Sequence, residues 1–326
     1  MPLLDVRGLV TQFNTPKGPV AAVDRVDFSV DRGEVLGIVG ESGCGKSVTS
    51  LSVLRLVPDP PGRVTGGTAL LDGVDLFNLP EADMRKVRGN RISMIFQEPM
   101  TALNPVFTVG NQIGEGLRLH QGLSRQEAHD RAVELLSRVG IPSPHLRVKE
   151  YPHQLSGGMR QRVMIAMAIG CEPDLLFADE PTTALDVTIQ AQILALLAEL
   201  KERTGMGMVM ISHDLGVIAE TADRVAIMYA GRIVEEALTT ELFRNPMHPY
   251  TRGLLASLPK GNNPGGRLEA IPGTVPALTE LEPGCKFRDR CAERFAACDG
   301  PEPGLIEAEA GHRVRCHLYD TAEVGA

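Results

Sequence analysis

The stretch Leu155–Asp186 reads LSGGMRQRVMIAMAIGCEPDLLFADEPTTALD, and it brings two pieces of phosphate chemistry close together in the chain. The first is Ser156-Gly157-Gly158, a hydroxyl and two bare backbones just ahead of an apolar helix pattern from Met159 to Ile169. Amides at such a helix start point outward and carry the positive end of the helix dipole, so they suit an anion. The second is the apolar run Leu175-Leu176-Phe177-Ala178, which delivers Asp179 and Glu180 together. A buried strand ending in two carboxylates can put one on a metal ion and the other beside a water. Taken alone, such a pair is ordinarily a solvated strand end. The flanking sequence argues otherwise.

Upstream, the short apolar strand Glu34–Val39 runs into Gly40-Glu41-Ser42-Gly43-Cys44-Gly45-Lys46-Ser47, which fits the phosphate-loop pattern G-x-x-x-x-G-K-S/T. It opens a predicted helix, Val48–Leu56. The glycines let successive amides turn inward around a phosphate, Lys46 adds a positive charge, and the Ser47 hydroxyl can ligate Mg²⁺. Cys44 is a tolerated small residue in this loop, not a nucleophile. Further strands are predicted at Leu3–Val10, Val26–Val30, Gly67–Leu71, Arg91–Phe96 and Met206–Ile211, with Phe13 in the connection between the first two. Gln97 follows one strand and Ser212-His213-Asp214 another. Helices are expected at Val109–Leu119, Ser124–Val139 (with Ser124 as N-cap) and Val187–Arg203. Arg224–Tyr229 and Arg232–Glu235, joined by Ala230-Gly231, read as a hairpin.

Composition narrows the class. The 326 residues suit about two domains. A hydrophobic content of 43% and a charged content of 23% are ordinary for a water-soluble fold. The net charge of −8 argues against a nucleic-acid-binding surface. No apolar run is long enough to span a bilayer and the N-terminus shows no signal-peptide pattern, so work at a membrane would go through a partner.

Leu155–Gln161 resembles the signature motif of ABC-transporter ATPases, and Leu175–Pro181 followed by Ala184-Leu185-Asp186 resembles their Walker B and D-loop. The resemblance covers roughly the first 260 residues. QEPMTALNP after Phe96 and HPYT within Asn245–Pro259 resemble the oligopeptide and dipeptide (peptide/nickel) importer branch. The resemblance implies an α/β fold with a P-loop core sheet, an antiparallel subdomain near the N-terminus and a helical subdomain at about 98–170. It also implies an ATPase domain over 1–259 and an extension over 260–326. ATP would be held by Phe13, stacking on adenine, and by Gly40, Ser42, Gly43, Cys44, Gly45, Lys46, Ser47 and Val48. Mg²⁺ would take Ser47, Gln97 and Asp179. Glu180 would polarise the attacking water, with His213 and Gln97 at the γ-phosphate. Ser156, Gly157, Gly158 and Gln161 would meet the ATP held by a second ATPase subunit, hetero- or homodimeric, with Asp186 in the D-loop. Two membrane permease subunits would dock near Glu98–Val106 and Tyr151–Gln154, on the cytoplasmic face, and an extracytoplasmic solute-binding protein would supply di- or oligopeptide. One departure from many relatives is Met159, where they carry glutamine. A nickel or other small-solute importer is the nearest alternative. A soluble ABC ATPase of DNA repair or translation, or an interaction protein with a dead nucleotide site, belongs to another class. The former would need a coiled-coil insertion or a second cassette, and Lys46, Asp179, Glu180 and His213 speak against the latter.

After a Gly/Pro/Asn linker at Lys260–Arg267, the tail holds four of the six cysteines, Cys285, Cys291, Cys298 and Cys316. Disulfides do not suit a reducing compartment. The tail is poor in apolar residues, so a metal centre would explain how it folds. The spacing C-x5-C-x6-C-x17-C lacks the close pair usual for structural zinc and suits a 4Fe–4S cluster better, while matching no standard ferredoxin pattern. The resemblance to dipeptide-importer ATPases implies the same cluster. Zinc and a metal-free set of structural thiols remain the alternatives.

Overall fold

The computed structural model describes residues 1–98, 102–182, 187–258 and 271–320. In chain order the strands are β1 Leu4–Thr15, β2 Gly18–Val30, β3 Val35–Val39, β4 Gly62–Leu71, β5 Val74–Asp75, β6 Ile92–Ile95, β7 Leu175–Asp179, β8 Gly207–Ser212, β9 Arg224–Tyr229, β10 Arg232–Leu238, β11 Ile306–Glu309 and β12 His312–Val314. The chain divides into two compact units.

One unit comprises Met1–Leu3, Val30–Glu34 and Asp75–Ile211. Its strands β6, β7 and β8 are parallel, with Ile92 opposite Leu175 and Leu175 opposite Gly207. Every residue of β7 is buried, as expected where a parallel strand is covered on both faces. That is why LLFA is continuously apolar and does not alternate. Helices Val109–Gln121, Arg125–Arg138 and Gly157–Ile169 pack together beside these strands. Ser124 caps the second helix through a reciprocal capping box with Glu127, worth about 1 kcal/mol. The buried Ala128, Ala132, Leu135 and Leu136 lie at helical spacing on its inner face.

The other unit comprises Leu4–Ser29, Val35–Val74 and Ser212–Ala326. Here β1 pairs antiparallel with β4, from Leu4 opposite Leu71 to Phe13 opposite Gly62. These ribbons are longer than the apolar runs predicted. Phe13 therefore lies on a strand and not in a connection, because its exposed neighbours still pair through their backbones. Strand β3 runs parallel to β9, which turns through Ala230-Gly231 into antiparallel β10. The hairpin is as predicted, but β10 continues to Leu238.

The tail adds to this sheet. Strand β12 pairs with β10, Glu235 opposite Val314, and β11 pairs with β12. A boundary at residue 260 thus separates segments in sequence that share one sheet. The tail also shares a small apolar core with the segment before the linker, in which Met247, Val314 and Cys316 are buried with Ala308 and Tyr319 against them. Its arrival explains the charges buried on β10. Arg232 meets Asp24 at 2.9 Å and Glu302 at 2.8 Å, Glu235 meets His312 at 2.7 Å, and Glu236 meets Arg224 at 3.1 Å as well as Arg313.

Candidate functional site

The phosphate loop leaves the fully buried strand β3 and enters helix Lys46–Val53. Gly45 has φ +108°, and a Cβ there would stand 2.4 Å from the Ala22 carbonyl oxygen. Only glycine satisfies both demands. No side chain caps this helix, which leaves its first amides facing the loop. The Lys46 Nζ donates to the Gly40 and Glu41 carbonyl oxygens at 2.7 and 3.0 Å, so the amine is held over the start of the loop. Ser42 and Gly43 are exposed at the crest, and Ser47 and Val48 are half-buried at the helix start. Cys44 is fully buried, and burial pushes its thiol pKa up, which agrees with a packing role. The Phe13 ring is half-buried, and a Cβ on Gly62 would come within 2.6 Å of it.

In the other unit, the parallel strands β6 and β7 bring Gln97 and Glu180 out at their carboxyl ends. Gln97 Nε2 donates to Glu180 Oε2 at 3.0 Å. The two residues lie 83 positions apart, and only the pairing of the strands joins them. Asp179 is buried at the end of β7, whereas Glu180 is half-buried and takes φ +46°. Its amide still donates to the Ile211 carbonyl at 2.9 Å. A left-handed conformation costs a non-glycine residue roughly 1 kcal/mol. Of the two consecutive carboxylates, Asp179 is buried and Glu180 meets Gln97. His213 is exposed immediately after β8, in the unit that contains the phosphate loop.

The signature segment forms a true helix start. Ser156 is the N-cap, and its hydroxyl accepts from the Met159 amide at 3.3 Å. Gly157 is exposed, and a Cβ there would meet nothing within 4 Å. Gln161 is buried, and its Nε2 donates to the Pro181 carbonyl at 2.5 Å. It ties the helix to the segment after Glu180 and is turned away from the exposed amides. Among the expected partner-facing residues, Ser156, Gly157 and Gly158 therefore lie at the helix start while Gln161 lies beneath it. The expected D-loop residue Asp186 lies outside the described residues, as do residues 99–101 of the expected docking face. Of that face, Val106 and Tyr151 are exposed apolar residues, and Phe107 is exposed beside them. Phe107 also lines a cavity of about 610 Å³, with Asn111, Arg118, His129 and Lys149 among others. Among the described residues, no helix is long and apolar enough to cross a membrane.

In the tail, Cys285, Cys291, Cys298 and Cys316 are free thiols. The Cys285 amide donates to the Cys298 carbonyl at 3.0 Å. Burial, and then the charges of neighbouring cysteines, push Cys285 up to about 11 and Cys316 up to about 12. The backbone thus joins the Cys285 and Cys298 segments directly. Among the described residues, however, no group of three or more His, Cys, Asp or Glu side chains is placed to hold a metal ion. A formed four-thiolate centre is not what this arrangement displays.

Comparison with known proteins decides the family. Residues 23–183 match the ABC transporter family, and residues 234–298 match the C-terminal region of oligopeptide/dipeptide transporters. A putative peptide import ATP-binding protein of Brucella melitensis is 53% identical over 97% of this chain and 96% of its own length. The chain belongs to the ABC transporter family. Within it, the oligopeptide transport ATP-binding protein AppD of Bacillus subtilis is 51% identical, over 98% of this chain and 97% of its own. The dipeptide transport ATP-binding protein DppD of Haemophilus influenzae is 50% identical, over 97% and 96%. Among solved structures, the ABC transporter cassette MJ0796, determined as a dimer, aligns with TM-score 0.66 and 27% identity over 72% of this chain and 98% of that one. The same cassette is known in a post-hydrolysis state bound to ADP and Pi. This ABC chain thus has the ATPase fold expected from its motifs.

What the sequence reading missed are partners without a local pattern. Glu41 within the phosphate loop is held by Tyr250 and Arg290, and Gln161 is held by Pro181. No motif marks Arg290, which stands 249 residues from Glu41.

Proposed function

We propose that this chain is the ATP-hydrolysing subunit of a peptide importer, working in a pair with a second ATPase subunit, hetero- or homodimeric. The pair would sit on two membrane permease subunits at the cytoplasmic face, served by an extracytoplasmic solute-binding protein. The observation that carries the chemistry is the division of labour between Asp179 and Glu180, one buried and the other turned to Gln97. The loop amides and Lys46 bind the triphosphate, with Phe13 against the base. Ser47, Asp179 and Gln97 offer hydroxyl, carboxylate and amide oxygens, the hard donors that suit Mg²⁺, whose charge neutralises the phosphates. Glu180 accepts the proton of the attacking water, Gln97 orients Glu180, and His213 contacts the γ-phosphate. The Ser156-Gly157-Gly158 helix start serves the ATP of the partner subunit, and Asp186 belongs to the same shared contact. Exposed Val106, Phe107 and Tyr151 support docking of a permease segment on this face. The full-length likeness to peptide, oligopeptide and dipeptide transport proteins supports peptide as the cargo, with nickel or another small solute as the alternative.

Replacing Glu180 with Gln tests this reading. Hydrolysis should fall by roughly 10²–10⁴ while ATP binding persists, since the amide keeps shape but not basicity. Hydrolysis at the normal rate would remove Glu180 from its role.

For the tail, we propose that the four cysteines take up a 4Fe–4S cluster, with one zinc per chain as the alternative. A bound cluster would stabilise the fold and take no part in hydrolysis. The support is the backbone bond that joins Cys285 to Cys298 and the burial that pushes the Cys285, Cys291 and Cys316 thiols up, a cost that metal ligation would remove by holding them as thiolates. Protein purified without oxygen should be brown and contain about four irons per chain. Colourless anaerobic protein with one zinc would exclude the cluster.

A further inference from the structure

We infer that the C-terminal segment clamps the phosphate loop, with Arg290 and Tyr250 as positioning residues that neutralise and aim Glu41. This rests on reading Gly40–Ser47 as the triphosphate-binding loop.

Glu41 is an awkward residue for its place. It puts a carboxylate in a loop whose purpose is to attract phosphate. The structure answers with a guanidinium from the far end of the chain. Arg290 Nη1 and Nη2 meet the two Glu41 carboxylate oxygens at 2.6 and 3.0 Å, a two-point pairing that fixes direction as well as charge. The Arg290 side chain is only 5% exposed. Its Nε donates to the Pro272 carbonyl at 2.9 Å, and the rings of Tyr229 and Phe287 lie 5.8 and 5.9 Å from the guanidinium carbon. A group so held has few other places to go.

The backbone of the loop is fixed as well. The Glu41 amide donates to the Tyr250 hydroxyl at 2.9 Å. Tyr250 is fully buried, its ring centre 4.7 Å from that of Tyr229 and 5.3 Å from that of Phe287. Farther along the loop, the Cys44 carbonyl accepts from the Gly231 amide at 2.8 Å. That turn is itself held from the tail, because Lys286 Nζ donates to the Ala230 carbonyl at 3.0 Å. Phe287, Lys286 and Arg290 all belong to the segment between Cys285 and Cys291. The aim of Arg290 is set there by backbone bonds from Arg288 to Cys285 at 3.1 Å and from Arg290 to Phe287 at 3.0 Å. The two shortest Lys46 contacts also end on this stretch, on the Gly40 and Glu41 carbonyls. The tail therefore holds the same few atoms on which the phosphate-binding lysine rests.

The test is a double-mutant cycle in the full-length chain, reading ATP affinity by fluorescent-nucleotide displacement and folding by thermal melt. Arg290→Ala leaves the Glu41 carboxylate uncompensated beside the triphosphate, and ATP should bind about tenfold more weakly. Adding Glu41→Gln to Arg290→Ala should recover affinity to within about threefold of wild type, because the repelling charge is gone. A merely structural arginine predicts no such rescue. Should Arg290→Ala fail to fold, Arg290→Lys and Tyr250→Phe decide. Each should weaken ATP binding by about threefold, by loss of two-point geometry in one case and of the amide's acceptor in the other. Unchanged affinity in the single variants, or a double variant as weak as Arg290→Ala, would overturn the clamp. A Lys46→Ala variant that binds ATP as tightly as wild type would instead overturn the loop assignment, and the clamp with it.

Discussion

Two glycine-bearing helix starts in this chain solve opposite problems. At Gly45 the chain itself demands glycine, since the backbone is left-handed and the Ala22 carbonyl occupies the space of a Cβ. At Gly157 the chain demands nothing, because a Cβ would stand in open space at an exposed helix start with its Ser156 cap intact. The phosphate loop is closed by its own fold, through Lys46, Tyr250 and Arg290. The signature is finished within its chain except on the outward side. A glycine that no internal contact explains is what a surface built for the close approach of another molecule looks like.

Gly45→Ala should lower the stability of its unit by about 3 kcal/mol or more and abolish ATP binding, read by melting and nucleotide titration. A stable, ATP-binding Gly45→Ala would show that the loop tolerates what its geometry forbids.

Acid should loosen the phosphate-loop side. His248 is fully buried beside Tyr250, and its Nδ1 accepts from the Tyr250 amide at 3.0 Å. Burial lowers its pKa to about 4, opposed by Glu235 and assisted by Arg252. Between that value and the usual 6.5 the unfolded chain binds more protons than the folded one. Stability is therefore complete above about pH 6.5 and falls as pH drops toward 4, by roughly 3 kcal/mol in total. Glu235 acts in the same direction. Burial would raise its pKa, but the bonds from His312 and from the Met247 and His248 amides hold it below the usual range, so its contribution too is lost in acid. His248→Asn keeps an acceptor for the Tyr250 amide without the titration, and should flatten a melting curve measured from pH 7 to 4.5.

On the signature side, Gly157→Ala should leave stability unchanged or slightly improved, yet reduce hydrolysis in the assembled complex by about 10²-fold. A variant that folds and hydrolyses normally would remove the reason for glycine there. The smallest effect is Ser156→Ala, which removes the N-cap and should cost about 1 kcal/mol, measurable by denaturant titration.

How far residues announce themselves depends on how local their causes are. Strands β3, β7 and β8 were legible because burial on both faces demands an uninterrupted apolar run, and runs are visible in sequence. Ser124 and Glu127 were legible because a capping box spans three residues. The ribbons β1 and β2 were only partly legible, since an antiparallel subdomain needs backbone pairing more than apolar side chains. The tail's place in the sheet was not legible, since β12 pairs with β10 across the sequence boundary near residue 260. Its residues look too polar for a core because much of what they do is neutralise charges placed elsewhere, as His312 does for Glu235 and Arg313 for Glu236.

By itself, then, the sequence determined the P-loop ATPase fold, and it carries the patterns of a phosphate loop, a carboxylate pair and a signature, because each depends on residue types at fixed short spacing. Tertiary structure alone decided that Glu180 meets Gln97, that Gln161 faces inward to Pro181, and that β12 completes a sheet with β10. It also decided that Glu41 is answered by Arg290. These are pairings between groups far apart in the chain, and a buried charge or an orphan amide selects its partner by position in space, which no local pattern encodes.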